Sequence, residues 1–217
     1  MNRIKEEKKY IVLSLLASFL PVFIGLLLYR KLPDTIAIHF NQYGEPDGYT
    51  SKMKAILFPG LFLSLIDLLT IWMTVADPKG VNLGRKVFRM ILWIVPAAAL
   101  FCSVAIYGSA LIPGMDMMKM ICLLIGLLFI VIGNYLPKCR QNYTVGLRNA
   151  WTLSDAVIWD KTHHLGGYMM MTCGLVMIFL AFTDTKYRFA LIMAAVFIAT
   201  LVPNLYSYYL YRKKEEN

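Results

Sequence analysis

Long apolar runs alternate with shorter polar connections along this chain, and the runs have the length of a bilayer rather than of a buried core helix. Six read as transmembrane helices, at about residues 11–29, 55–76, 90–110, 117–136, 166–182 and 187–209. A helix rising 1.5 Å per residue needs roughly 20 apolar residues to cross the hydrocarbon layer, and these runs come close to it. They lack the polar stripe that a water-soluble helix uses to keep one face wet. The pattern predicts an all-α, polytopic integral membrane protein: a bundle of six transmembrane helices with a short cytoplasmic helix between spans four and five. Residues 1–110 form an N-terminal membrane region with spans one to three, and residues 111–217 a second region with spans four to six.

Departures from plain apolar sequence inside the runs are few. Pro21 and the pair Pro203-Asn204 predict local breaks or kinks, because proline removes an intrahelical donor, and span three holds Pro96. Asp67, near the middle of span two, is costly in hydrocarbon and is expected to face the interior, as a packing hydrogen bond or as a functional contact. No small-residue cleavage site follows the first run, which reads as a retained span rather than a signal peptide.

Composition strengthens this picture and adds orientation. The chain is 59% hydrophobic and 16% charged, with 22 Lys and Arg against 13 Asp and Glu. The basic residues sit beside apolar blocks, which points to membrane lipids as partners and not to direct contact with nucleic acid. Fifteen of the 22 fall on the side of the termini, in residues 1–9, 77–89, 137–165 and 212–217. The positive-inside rule therefore predicts both termini in the cytoplasm, residues 30–54 outside and residues 137–165 inside. Cys102, Cys122, Cys139 and Cys173 lack ligand-like spacing and read as small apolar fillers.

The two long polar connections carry what chemistry there is. Residues 30–54 offer His39, Asn41, Glu45 and Asp47, with Thr35 to Phe40 as a short extended piece. Gly44, Pro46, Asp47 and Gly48 are expected to set turns, with the Asp47 carboxylate accepting nearby backbone donors. One imidazole and two carboxylates without a recognised spacing do not predict a metal site. In residues 137–165, Pro137 closes span four, and Thr152 with Asp155 has the spacing of a capping box that starts a short helix running towards His163. Trp151 and Trp159 are expected to anchor that helix over the cytoplasmic mouth. Arg140, Arg148 and Lys161 can meet headgroup phosphate, brace the loop or meet a partner. No hydrolase triad or HExxH sequence occurs, so no enzymatic activity, metal or cofactor is expected.

Residues 32–52, LPDTIAIHFNQYGEPDGYTSK, resemble the motif of the membrane domain DUF1648. Residues 133–167 resemble the signature of the SdpI family of bacterial immunity proteins, through Asn134, Pro137, Asn142, Tyr143, Gly146, Arg148, Trp151, Thr152, Trp159, Lys161, Thr162, His163 and Gly166. Two positions depart from that pattern: Ala150 stands where Pro is common, and His164 where Arg is common. The resemblance implies protection of a producing bacterium against a secreted, membrane-active peptide toxin of the SdpC type. It further implies a receptor that, on meeting toxin, holds a cytoplasmic ArsR-type transcriptional repressor at the membrane. On that reading His39, Asn41, Glu45, Asp47 and Asp67 are the toxin-facing candidates. Asn142, Tyr143, Arg148, Trp151, Thr152, Trp159, Lys161 and His163 form the cytoplasmic partner surface or a structural signature. The alternative is a membrane transporter exporting a peptide or small solute, favoured by Asp67 and the proline-bearing spans.

Overall fold

The computed structural model describes residues 2–216, without the side chains of residues 2–4 and Val81. Met1 and Asn217, at the ends of the two basic terminal segments, lie outside the described residues, as does the side chain of Arg3. Among the described residues six helical segments are long and apolar enough to cross a membrane: Lys5–Leu28, Lys52–Ala76, Arg85–Leu111, Met117–Lys138, Ala156–Ala181 and Arg188–Glu215. Large side chains such as Phe23, Leu27, Phe58, Phe179 and Phe197 point outward and are mostly exposed. That inversion of a soluble surface fits helices solvated by lipid tails.

Pro21 splits the first span into α1 (Asn2–Ser18) and α2 (Leu20–Leu28). A hairpin of β1 (Thr35–Phe40) and β2 (Pro46–Ser51) follows, paired antiparallel with Ile36 opposite Thr50. The extended piece at 35–40 is as expected, but the turn is not at Asp47-Gly48. It falls at 41–45, with Gly44 at φ +83°, and the Asn41 side-chain oxygen accepts from the backbone of Tyr43 (2.9 Å) and Glu45 (3.1 Å). Pairing with β1 draws Pro46 to Ser51 into a strand despite their turn-forming composition.

The second span is α3 (Lys52–Ala76), the third α4 (Arg85–Leu111) and the fourth α5 (Met117–Tyr135), closed by a 3₁₀ turn at Leu136–Lys138. The short helix between spans four and five is α6 (Ala150–Ser154). Span five is α7 (Ala156–Ala181) and span six α8 (Arg188–Glu215). The capping box lies one step earlier than expected. Asn149 and Thr152 exchange side-chain and backbone bonds to start α6, and Asp155 caps α7 by accepting from Val157 (2.7 Å) and Ile158 (2.9 Å). The residues expected to run as a separate helix towards His163 are therefore the first turns of span five.

The chain packs as two units. One holds α1, α2, the hairpin, α3 to Trp72, α4 from Arg89 and α5 to Leu124; the other holds Met73–Phe88 and the chain from Ile125 onward. In the first, Leu32 and Ile36 below the hairpin pack with Ala55, Ile56 and Tyr107, and the Tyr107 hydroxyl donates to the Pro21 carbonyl (3.1 Å). At the far end of those helices Arg89 grips the buried Glu7 carboxylate through Nε (2.8 Å) and a terminal nitrogen (3.2 Å), and its guanidinium lies 3.9 Å above the Tyr10 ring. In the second, α5 and α7 touch backbone to backbone. A Cβ at Gly126 or Gly133 would stand 2.9 or 2.8 Å from the carbonyl of Gly174 or Gly167, and the reverse substitutions would be as tight. Glycines seven residues apart on both helices allow this antiparallel approach, which small residues permit within lipid.

Candidate functional site

Each unit places one polar structure at the end of its helices. In the first unit it is the hairpin. His39 and Asp47 face each other across the strands, Nδ1 to Oδ1 at 2.5 Å, with the imidazole largely exposed. The Asn41 amide donates to Glu45 (3.2 Å), so four predicted residues gather at the hairpin tip. At the hairpin base, Lys52 pairs with Asp34 at 2.9 Å, and this bond holds the Asp34 carboxyl below its ordinary range. Under β1 lies an apolar groove of about 130 Å³, lined by Ile38 and Phe40 from the hairpin, Phe101 and Ile106 from α4, and Met117 and Met120 from α5.

Asp67 does not join this group. It lies about 15 residues along α3 from the hairpin, roughly 23 Å at helical rise, and is wholly buried. Among the described residues neither of its carboxyl oxygens has a hydrogen-bond partner.

In the second unit the polar structure is a cap formed by residues 139–155 over the ends of α7 and α8. Its centre is His163, fully buried and stacked on Trp159 at 4.0 Å between ring centres. Nε2 faces the backbone N–H of Leu147 (3.1 Å), so it must accept; Nδ1 faces the Trp159 carbonyl (2.8 Å), so it must donate. Those two bonds require the neutral, Nδ1-protonated tautomer and leave neither nitrogen for a metal. The Trp159 indole donates to the Cys139 carbonyl (2.7 Å). Burial pushes the Cys139 thiol up to about 11, which leaves it protonated and poorly nucleophilic.

The loop around this core is closed by its own side chains. The Asn142 amide donates to the carbonyls of Arg140 (2.9 Å) and Val145 (3.0 Å), while its oxygen accepts from the backbone of Thr144 and Val145. Asn149 donates to Asn204 (2.8 Å) and Ser207 (2.9 Å) on α8. From the other side, Asp77 accepts from the backbone of Tyr143 (2.9 Å) and the hydroxyl of Thr144 (2.6 Å), and Asn82 donates to the Gln141 carbonyl (2.9 Å).

The eight residues expected at this face therefore divide by position. Asn142, Thr152, Trp159 and His163 are interior and build the cap. Tyr143, Arg148 and Lys161 are exposed, and Trp151 is half-buried against Tyr208. Asp77, Asn204, Ser207 and Gln141, whose amide donates to the carbonyls of Thr152 (3.0 Å) and Leu153 (2.9 Å), hold the cap as firmly, and nothing in the sequence ties them to it. Their signal is faint: polar residues at the ends of apolar runs.

Comparison with known proteins falls on the same two structures. The SdpI/YfhL protein family model matches residues 138–207, the cap with spans five and six. A domain of unknown function, DUF1648, matches residues 16–63, which contain the hairpin. An uncharacterized protein of Archaeoglobus fulgidus is 36% identical over 55 residues, 25% of this chain and 30% of that protein. No solved structure matches. The chain is also similar, at 26% identity over 208 residues covering 93% of it and 96% of the relative, to the immunity protein SdpI of Bacillus subtilis.

Proposed function

We propose that this protein shields a bacterial membrane from a secreted, membrane-active peptide, by binding rather than by catalysis or transport. The observation that carries the reading is the hairpin laid over an apolar groove, in a chain similar along nearly its whole length to an immunity protein. A membrane-active peptide must present apolar side chains near the bilayer surface. A groove of about 130 Å³ with two methionines in its wall suits one large apolar side chain of variable shape. His39, Asn41, Glu45 and Asp47 beside it supply polar contacts to the peptide backbone. The excess of Lys and Arg on the other connections supports a topology with the hairpin outside and both termini in the cytoplasm.

The test is survival of a toxin-sensitive strain carrying this protein when challenged with its cognate peptide. Protection should appear with the wild-type chain and be lost with Ile38→Asp at equal membrane level. Unchanged killing by the peptide despite wild-type protein in the membrane overturns the reading. Energy-dependent movement of labelled peptide in reconstituted vesicles assigns a transporter instead.

A second reading rests on exposed residues of the cap and of the first turns of α7. Tyr143, Arg148 and Lys161 project from a scaffold whose interior is internally bonded, an arrangement suited to meeting a cytoplasmic protein such as a repressor of the ArsR type. Arg148→Glu with Lys161→Glu should abolish peptide-dependent recruitment of the repressor to the membrane while protection persists. Recruitment retained by that variant rejects the surface.

A further inference from the structure

A groove of about 460 Å³ lies between the start of span five and the end of span six. From α7 it takes Val157, Ile158 and Lys161, and from α8 Tyr206, Tyr209, Leu210, Lys213 and Lys214, with Asp155 at its edge. The α8 residues follow the i, i+3, i+4, i+7, i+8 spacing of a single helix face, and the α7 residues the i, i+1, i+4 spacing of another. The groove is thus apolar at Ile158 on one helix and Tyr206 and Leu210 on the other, and becomes basic within one turn of each.

We propose that this groove is a binding site for an anionic phospholipid, with the headgroup phosphate among Lys161, Lys213 and Lys214 and the first part of an acyl chain along Ile158, Tyr206 and Leu210. The depth of the site supports this. Helices of 26 and 28 residues are about 39 and 42 Å long, against about 30 Å of hydrocarbon, so their ends lie at headgroup level. Lys213 and Lys214 belong to those overhanging ends, and Lys161, a turn and a half into α7, can snorkel outward. Tyr206 and Tyr209 sit where ring and hydroxyl each find their preferred medium.

Charge selects the class of lipid. Three lysines and one carboxylate line the groove, a basic lining that favours a headgroup with net negative charge over one whose phosphate is balanced by its own cation. The carboxylate is occupied: Asp155 pairs with Lys214, and this bond holds the Asp155 carboxyl below its ordinary range. Asp155 therefore competes with the lipid phosphate for Lys214. Its other oxygen caps α7, a task that asparagine also performs.

The full chain, purified in detergent, is to be titrated with phosphatidylglycerol and the adducts counted by native mass spectrometry. The wild type should hold phosphatidylglycerol over phosphatidylcholine, and millimolar inorganic phosphate should not displace it. Lys161→Gln with Lys213→Gln should weaken the adduct roughly 25-fold, at about fivefold per lysine near the surface. Asp155→Asn should tighten it, because Lys214 is released while the helix cap stays. The same double substitution at Lys31 and Lys119 should leave the adduct unchanged.

The proposal is overturned if the Lys161/Lys213 variant binds phosphatidylglycerol as the wild type does, or if phosphatidylcholine binds equally. It is also overturned if inorganic phosphate displaces the lipid, which would make this a free-phosphate site. A thermal midpoint measured alongside separates loss of lipid from loss of fold, and the opposite sign expected of Asp155→Asn keeps the test decisive if the lysine variant unfolds.

Discussion

Gly146 offers the most direct test of how the cap is built. It sits at φ +114°, and a Cβ added there would stand 2.3 Å from His163 Nε2, the atom that accepts from Leu147. Gly146→Ala therefore has two separable costs. Backbone strain at such a φ is about 1–3 kcal/mol. Displacing the imidazole leaves the Leu147 N–H without its acceptor, about 1–3 kcal/mol more. The variant should lose about 2–6 kcal/mol, a large part of a typical 5–15 kcal/mol. In a His163→Ala background the clash and the lost bond are already gone, so the same change should cost only the strain. Thermal unfolding in micelles, with hydrogen exchange over residues 139–152, reads both. Equal cost in the two backgrounds would show that the imidazole does not set this loop.

Three further outcomes follow from particular contacts. Arg89→Met should lower the unfolding midpoint by removing the guanidinium that grips the buried Glu7 carboxylate, Glu7→Gln should lower it less, and the double variant less than the two together; strict additivity in unfolding midpoints would deny the pair. Cys139 should react with maleimide at pH 8 at least roughly a hundredfold more slowly than an exposed thiol placed by Tyr143→Cys, because its ionisation is pushed up to about 11; comparable labelling in peptide mass maps would contradict the burial. The depressed Asp155 carboxyl stabilises the start of span five above its unfolded value near 4 and loses that effect as pH falls through its lower folded value. Amide protection at Val157 and Ile158 should therefore drop below about pH 4 in the wild type and stay level in Asp155→Asn, with intrinsic exchange rates corrected.

The six spans were legible because hydrocarbon length imposes itself on composition, and no tertiary contact is needed to see it. Local chemistry was legible where a residue acts on its own neighbours: Pro21 breaks the first span and Pro137 ends the fourth, as read, although α8 runs through Pro203 as one helix. It failed where a residue has two uses. Asn149, Thr152 and Asp155 are spaced so that either neighbouring pair can start a helix, and the choice falls to Asn149 because its amide also reaches Asn204 and Ser207, more than 50 residues away. Asp47 reads as a turn former, yet it lies in a strand because β1 pairs with Pro46–Ser51 and brings His39 within hydrogen-bond reach of it. The glycine crossing of spans four and five is invisible in the sequence for a similar reason. Gly126 and Gly174 are unremarkable in separate apolar runs, and acquire meaning only when the two helices run antiparallel in one register.

The same contrast bears on where adaptation to a particular partner would be found. The cap holds its interior by directional bonds to backbone atoms: Asn142 closes its own loop, Thr152 locks Asn149, and His163 joins Leu147 to Trp159. Such positions tolerate few residue types, because each replacement strands a buried donor or acceptor. The groove under the hairpin is apolar and partly methionine, and exchanges there alter shape without leaving a polar group unpaired. On the proposed function, exchanging the lining residues Ile38, Met117 and Met120 with those of a protein that resists a different peptide should therefore exchange the peptide resisted, whereas exchanging Asn142 or Thr152 should lower protein level without altering selectivity. Protection assays against both peptides decide this, and selectivity that follows the cap instead of the groove would move peptide recognition away from the hairpin.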